Sequence, residues 1–378
     1  MFSINQSPPI VSLSGSPLRF SIYSDRVAEF LRILAYPIQY NNDIADVLPL
    51  DQNNLTHFDL HEYYKGRRSS EYVRDNAFLH LNFCKPASIR FKEYFGNPPD
   101  VSATELIYDG HIIDGYIPRW KQNEFRALYS SFYDYLQMNK PYLTWYPRTI
   151  KKVLPEQPER LYFLNTGIAA DLKIIVGVYF QDGTFVLHDP ERSINTGQYQ
   201  VISFATGYSA LGLKTWAEAN HPGKKITHYY VSVSRNGYGI SEPFAYKVDY
   251  NDYRNVRYLV FQNSLSGWDT LACTGEYDQT IEIERSIASR IADVSDVNRL
   301  HKIEYHREYS QLVKVNTGWL TIGEKEWLTE LLISDKVFEL LKGQLTPVLI
   351  RTKQFDTTDR IFQPGEAEIE YERLFLAE

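Results

Sequence analysis

The sequence predicts a mainly β protein that is divided into several domains. Tyrosine and phenylalanine contribute 29 and 20 of the 378 residues, and aromatic residues favour strands. Short runs of alternating apolar and polar residues recur along the chain between turn-forming residues, which is typical of half-buried strands. A chain of 378 residues also exceeds the size at which a single hydrophobic core stops growing, so two or three domains are expected.

Composition and charge exclude several classes of protein. Hydrophobic residues make up 43% of the chain and charged residues 23%, as in a folded globular protein. The net charge is −7, and basic clusters such as 65–68 and 151–152 are short, which argues against a nucleic-acid partner. The longest apolar stretch, 172–180, is too short to cross a membrane. With no secretory pattern at the start of the chain, we expect synthesis in the cytoplasm and no membrane partner.

Cys84 and Cys273 are the only cysteines. Each lies in an apolar, strand-like run, so two buried thiols are expected. A disulfide between them stays open, but two cysteines do not make a disulfide-dependent scaffold.

The chain begins with a Ser/Pro-rich arm over 1–17, followed by a β-rich domain over 18–155. The arm could extend onto a neighbouring subunit. Alternation predicts the strands of this domain, which lie at 18–23, 38–40, 55–64, 77–84 and 88–95.

One helix interrupts this domain. Its apolar residues recur at spacings of three and four, which places them on one helix face; they are Phe125, Leu128, Phe132, Tyr135 and Leu136. Pro141 ends the helix. Three prolines in the stretch 147–158 make it a stiff linker.

The second predicted domain, 156–255, is a β-sandwich. Short strands follow one another at regular spacing, at 161–164, 172–180, 184–187, 197–203 and 228–234. Asp182-Gly183 predicts a tight hairpin between two of them, and Asn236-Gly237 predicts another. This pattern resembles the closing strands of a fibronectin type III or immunoglobulin-like sandwich.

The third predicted domain, 256–378, is α+β. Its helix is expected at 323–333, with acidic residues in the first turn and Trp327, Leu328, Leu331 and Leu332 on the apolar face. Strands are predicted at 256–261, 269–274, 280–286, 304–315, 336–341, 346–352 and 366–375, with a turn at 263–267.

Three stretches of this third domain carry a resemblance to a known group of proteins. They are RYLVFQNSLSGWDTL at 257–271, NTGWL at 316–320 with EWLTELLIS at 326–334, and TPVLIRTK at 346–353. Together they resemble uncharacterised proteins that phages and prophages of Bacteroidota encode beside their tail genes. The resemblance covers the last third of the chain well and the rest in outline.

The order of elements is also similar to that of tail-tube and distal-tail proteins. In those proteins the strands form a sandwich or barrel, and copies associate into a ring. The resemblance therefore implies a ring-forming domain over 256–378, with the earlier domains reaching toward other baseplate proteins. It carries over no active-site residues.

No motif in the sequence meets the requirements of a catalytic site. Around Ser209, Leu211 stands where a nucleophile elbow needs glycine, so a loop is the better interpretation. His57 and His61 could present two imidazoles to zinc from a helix, but 55–64 is at least as good a strand.

Carboxylates are abundant but follow strand periodicity. Glu366, Glu368, Glu370 and Glu372 alternate with apolar residues, which indicates a half-exposed strand. The Walker phosphate loop, the dinucleotide fingerprint and the zinc-type cysteine cluster are all absent from the sequence. We therefore predict no catalytic, cofactor-binding or metal-binding residues and no enzymatic activity.

The functional expectation is a structural virion protein, part of a phage tail or baseplate, that associates into a ring and with other tail proteins. The alternative is a glycan- or surface-binding module that acts in host adhesion. Candidate stacking residues for a glycan are Trp145, Tyr146, Tyr229 and Tyr230, although core and interface roles are commoner for such residues. A hydrolase with a pair of distant carboxylates is the third hypothesis, and it requires a pocket with two converging acids, one of raised pKa.

Overall fold

The computed structural model describes residues 2–24, 30–37, 44–49, 51–64, 71–73, 78–81, 83–95, 100–289, 302–354 and 365–374. These residues form two compact units, 1–249 with 263–269, and 250–262 with 270–378. The fold is mainly β and multidomain, as the sequence predicts.

The elements of the first unit begin with strands β1 (Phe2–Gln6), β2 (Val11–Leu13), β3 (Arg19–Ser24), β4 (Phe30–Pro37), β5 (Ile44–Pro49), β6 (Leu55–Asp59), helix α1 (His61–Tyr64), β7 (Leu79–Leu81), β8 (Cys84–Phe95) and β9 (Asp100–Ile113). They continue with helices α2 (Arg119–Leu128) and α3 (Phe132–Asn139) and strands β10 (Lys151–Val153), β11 (Arg160–Asn165), β12 (Ala170–Phe180), β13 (Phe185–His188), β14 (Ser193–Thr196) and β15 (Gln200–Ala205). Helix α4 (Leu213–Asn220) and strands β16 (Ile226–Arg235), β17 (Tyr238–Gly239) and β18 (Phe244–Val248) complete the unit.

The elements from residue 257 onward are β19 (Arg257–Gln262), β20 (Trp268–Cys273), β21 (Tyr277–Ser289), β22 (Lys302–Asn316), helix α5 (Ile322–Ile333), β23 (Val337–Leu341), β24 (Gln344–Ile350) and β25 (Glu368–Arg373).

A β-sandwich forms the core of the first unit. One sheet has the order β10-β18-β16-β12-β13, and the facing sheet has the order β11-β15-β7. Strict alternation along β12 buries Leu172, Ile174, Val176 and Val178, which pack with Ile202 and other side chains of the facing sheet in one hydrophobic cluster. The predicted hairpin at 182–183 joins β12 to β13. Period-two alternation thus gives the β12 sheet its buried face, whereas β11 and β15 of the facing sheet are buried at nearly every position.

Two further sheets belong to the first unit, with the orders β1-β3-β6 and β2-β9-β8-β4-β5. Part of the predicted Ser/Pro-rich arm belongs to these sheets, because β1 pairs with β3 and β2 pairs with β9. Backbone pairing thus holds 2–6 and 11–13 within the unit, and contact of the arm with a neighbouring subunit stays a prediction.

The predicted single helix at 125–136 is two helices. The chain leaves helical geometry at Tyr129, and Ser131 starts α3 with its side chain accepting from the Asp134 amide. Serine is a strong N-cap residue. Here the Ser131 cap starts a new helix, although the apolar spacing continues without a break. Leu128, which the spacing placed on the apolar helix face, is 59% exposed.

The predicted linker at 147–158 is not a linker. Lys151–Val153 forms β10, which pairs in parallel with β18, and Val153 and Leu154 are buried. Residues 151–153 form an edge strand of the sandwich. The three-domain boundaries stay a prediction; β7, from the predicted first domain, pairs with β15 of the predicted second.

The second unit is built on one sheet with the order β20-β19-β23-β24-β25-β22-β21. Helix α5 begins with a capping box between Thr321 and Glu324 and buries Trp327, Leu328 and Leu331. Trp327 contacts Phe261 of β19 with ring centroids 5.4 Å apart. The glutamates of β25 alternate with the buried Ala367, Ile369 and Tyr371, so the predicted α+β arrangement and half-exposed strand are both observed.

Cys84 and Cys273 are buried thiols, as their apolar contexts predicted. They belong to different units, the first and the second respectively. The predicted strand at 38–40 and the basic cluster at 65–68 lie outside the described residues.

Candidate functional site

The sequence-predicted chemical candidates do not come together. His57 is exposed on β6, whereas His61 lies in the one-turn helix α1, where Nδ1 is 3.1 Å from Asp59 Oδ1. Within the described part of the chain, no three His, Cys, Asp or Glu side chains are grouped to hold a metal. Ser209 is exposed in the loop that precedes α4, and none of the described helices is long and apolar enough to span a bilayer.

A cleft of about 640 Å³ lies in the first unit. Helix α2, the residue after it, helix α3, the segment 142–150 and the start of β18 line it. On α2 the lining residues are Lys121, Glu124, Phe125 and Leu128, which the spacing i, i+3, i+4, i+7 places on one helix face. Leu128 is exposed because this face borders the cleft rather than the core.

The walls of the cleft, named here the aromatic cleft, are mostly rings. Tyr135 packs against Trp145 at 5.6 Å between centroids and against Tyr129 at 5.0 Å. Tyr146 packs against Phe244 at 5.8 Å. Trp145 and Tyr146 were predicted as stacking candidates, and both line the cleft, although each is only 7% exposed.

Hydrogen bonds hold the floor of the cleft in one conformation. Tyr142 Oη donates to the Val231 carbonyl at 3.1 Å, and Trp145 Nε1 donates to Ser264 Oγ at 2.8 Å. Thr144 Oγ1 donates to the Asp269 carboxylate at 2.9 Å. Each contact joins residues at least 89 positions apart, so the cleft exists only in the folded chain.

Four charged side chains line the cleft, and they form two pairs. Arg148 Nε lies 3.3 Å from Glu242 Oε2, and Lys121 pairs with Glu124. Burial raises the pKa of Glu242, and Arg148 opposes that rise. Burial also raises the pKa of Tyr135 well above the ordinary phenol value.

These two carboxylates bear on the hydrolase hypothesis, which requires two acids in one pocket. Glu124 and Glu242 both line the cleft, and the pKa of Glu242 is raised by burial. Each carboxylate is paired with a basic side chain.

The other two stacking candidates lie elsewhere. Tyr229 is fully buried in the sandwich core. Tyr230 lies on the opposite side of β16, where its ring covers Gly177. With Tyr179, Phe185 and His228 it forms the outer aromatic face; Phe185 stacks on Tyr230 at 6.0 Å and Tyr179 on His228 at 4.3 Å.

The second unit presents a different surface, a β-ribbon. β22 pairs with β25 from Gln311 to Asn316. The described part of β22 that precedes Gln311 pairs only with β21. Ile283 pairs with Tyr309, and Ile281 and Ile287 lie on the same face by alternation. These four residues, named here the apolar row, are each more than half exposed. The exposed Arg285 lies between Ile283 and Ile287 on the same face.

The sequence did not single out the charged pairs of the cleft or the exposure of the ribbon. Arg148 and Glu242 are 94 residues apart, and only the sandwich brings them together. The sequence of α2 does indicate the cleft, because charged and aromatic residues share one face of that helix.

The chain was compared with known families, curated proteins and solved structures. No family model matches it, and no curated protein matches it. Among solved structures it is similar to a chaperone–tip adhesin complex described as vital for activation of CFA/I fimbriae biogenesis, with 9% identity, 66% of this chain and 100% of that chain covered, and a TM-score of 0.20.

Two further structures are similar at the same level. A marsupial T cell receptor has 10% identity, with 65% of this chain and 98% of that chain covered and a TM-score of 0.17. The FN1–FN3 domains of chicken CNTN1 have 8% identity, with 83% and 91% covered and a TM-score of 0.18. Likeness at this level carries no argument about function.

Proposed function

We propose that this chain is a structural virion protein, a component of a phage tail or baseplate that acts through oligomeric assembly. The sequence resemblance carried by 257–271, 316–334 and 346–353 supports the class of protein. The β-ribbon of the second unit supports the mode of action. In this proposal the protein resides in the virion and has no catalytic step of its own.

The observation that carries the proposal is the apolar row. Its four side chains, Ile281, Ile283, Ile287 and Tyr309, are 51–58% exposed on one face of the ribbon. Covering the exposed half of such a side chain is worth roughly 1 kcal/mol. A row of this kind on a folded protein is characteristic of an interaction surface.

A second copy of the chain is the occupant that fits this surface best. β21 is the terminal strand of its sheet, so its outer edge offers backbone donors and acceptors to another strand. A two-stranded ribbon is only marginally stable alone. Pairing with a neighbouring ribbon would satisfy the backbone groups at the edge and would also cover the apolar row. For a ring the contact must be head-to-tail, with the β21 edge of one copy against the other edge of the neighbouring ribbon, the part of β22 that pairs only with β21. Contacts of that kind close into a ring when the rotation permits.

The test is native mass measurement with electron microscopy of the purified protein, alone and with the products of neighbouring genes. Closed rings, or docking onto a tube or hub, are expected. Ile283→Lys should abolish the rings because it places a charge in the apolar row. Thr280→Lys, which adds the same charge at an exposed position on the opposite face of the ribbon, should leave them intact.

Two results would overturn the proposal. One is a strict monomer at every concentration and with every neighbouring gene product. The other is the absence of the protein from purified particles, measured by mass spectrometry of the virion.

A further inference from the structure

We infer that the aromatic cleft is a binding site for a short, neutral saccharide. This inference is independent of the assembly proposal, because the cleft lies wholly within the first unit and the apolar row lies in the second. Either can therefore fail without the other.

The size and lining of the cleft fit a small ligand. Its volume of about 640 Å³ falls within the roughly 300–1,000 Å³ typical of small-molecule sites. Its rings provide apolar surface for the C–H faces of a sugar. Tyr129 and Phe244 are the partly exposed rings, so they are the surfaces on which a pyranose would pack.

The charges of the cleft select a neutral ligand. Lys121 with Glu124 and Arg148 with Glu242 are balanced pairs, so the site carries no net charge to attract an ion. A charged ligand would have to break one of these pairs and leave its partner uncompensated, which is costly in a partly buried site.

Hydroxyl groups match these pairs without breaking them. A sugar hydroxyl both donates and accepts, so one hydroxyl can accept from Arg148 while its neighbour donates to Glu242. The carboxylate of Glu242 is about a quarter exposed and Arg148 more than half exposed, which leaves both accessible. Hydrogen bonds to charged partners are the stronger kind.

The cleft is also preorganised. Its floor is held by the Tyr142, Thr144 and Trp145 hydrogen bonds, so binding need not order those side chains. The cleft differs from the outer aromatic face in its cavity, because the rings of the cleft surround a volume of about 640 Å³ that can hold a ligand. Of the two aromatic surfaces in the first unit, the cleft is therefore the better saccharide site.

The test uses defined probes: maltohexaose, cellohexaose, xylohexaose and linear mannohexaose, with sialyllactose and sulfated lactose as charged counterparts. Binding to the full chain is measured by saturation-transfer NMR and then by calorimetric titration. At least one neutral hexasaccharide should bind saturably, and neither charged lactose should bind more tightly.

Variants locate the site. Tyr129→Ala and Glu242→Gln should each weaken binding at least tenfold, the first by removing a ring and the second by removing a charged acceptor. Leu128→Arg places a long side chain at the opening of the aromatic cleft, from an exposed position. It should also weaken binding at least tenfold, without affecting folding. Phe185→Ala, on the outer aromatic face, is the matched control and should change binding less than twofold.

Four outcomes overturn the inference. The first is that no neutral hexasaccharide binds at millimolar concentration, and the second is that a charged probe binds more tightly. The third is that Phe185→Ala loses binding while the cleft variants retain it. The fourth is the release of shorter saccharides in mass spectra, which would assign hydrolysis instead. Thermal melting of each variant shows whether a loss of binding is a loss of folding, and Leu128→Arg decides the case if the other two do not fold.

Discussion

Glu339 is a fully buried carboxylate in the second unit. Arg373 donates to both of its oxygens, at 2.6 and 3.0 Å, and Arg257 lies 3.8 Å away. The pair ties β23 to β25 across the strand between them. Such a pair matters most when one partner is removed, because the other is then left buried and uncompensated.

Glu339→Gln is therefore expected to lower the free energy of unfolding by about 3–5 kcal/mol, measured by urea denaturation. Glu368→Gln is the matched control, since Glu368 faces Lys314 from an exposed position on the same sheet. Its cost should stay under about 1 kcal/mol. Equal effects of the two substitutions would contradict the role assigned to burial.

Three half-buried histidines predict how stability depends on pH. Burial lowers the pKa of His80, His111 and His188 below the ordinary value of 6.5, against the opposing influence of Asp109 on His111 and of Asp189 on His188. Below pH 6.5 the unfolded chain takes up these protons before the folded chain does, so stability rises with pH. This contribution is fully present above pH 6.5 and is lost as pH falls through the lowered pKa values.

Urea denaturation between pH 7.5 and pH 5 should show this loss. His188→Gln, which removes the ring stacked on Trp216 at 4.4 Å, should make the pH dependence shallower. Phe185→Ala, which removes a ring without a titratable group from the same strand β13, is the control and should leave the pH dependence unchanged. A steeper dependence in His188→Gln would reverse the assigned sign.

At the scale of the element, the turn at 263–267 is predicted by its own residues but is also restricted by a distant part of the chain. The sequence predicts the turn, and Asn263 Oδ1 accepts from the amides of Leu265 and Gly267 at 3.0 Å each. What the sequence does not indicate is that a Cβ at Gly267 would lie 2.2 Å from the Leu143 carbonyl oxygen. The same carbonyl accepts from Asn263 Nδ2 at 2.9 Å.

Gly267→Ala is expected to destabilise the first unit by about 1–3 kcal/mol, because the added methyl meets backbone that cannot move aside alone. Gly239→Ala is the control, since a Cβ there meets nothing within 4 Å, and its effect should stay within about 0.5 kcal/mol. Thermal denaturation of the two variants measures the difference. A harmless Gly267→Ala would show that Leu143 and the adjoining cleft floor are free to shift.

The helices illustrate the same limit at this scale. The apolar spacing from Phe125 to Leu136 predicted helical structure correctly and its continuity wrongly, because a serine side chain that caps an amide competes with helix propagation. The exposure of Leu128 followed from the cleft, which no local pattern encodes.

At the scale of the whole molecule, assembly predicts a stability that depends on concentration. If the apolar row is covered in an oligomer, mass action raises the melting temperature as protein concentration increases. Calorimetry over a hundredfold range of concentration should show this rise for the unmodified chain and for Thr280→Lys, and not for Ile283→Lys. A melting temperature that is independent of concentration in all three would count against self-association through the ribbon.

The sequence by itself determined the mainly β class, the positions of most strands, the predicted hairpin at 182–183 and helix α5, because alternation, turn chemistry and capping act between residues close in the chain. Only the tertiary structure decided that 2–6 and 11–13 pair within sheets, that 151–153 is a strand, and that α2, Arg148 and Glu242 enclose a cleft. Those features depend on contacts between residues far apart, such as Trp145 with Ser264. The periodicity of a segment predicts which of its faces is buried, but the packing of the whole chain determines which element covers that face.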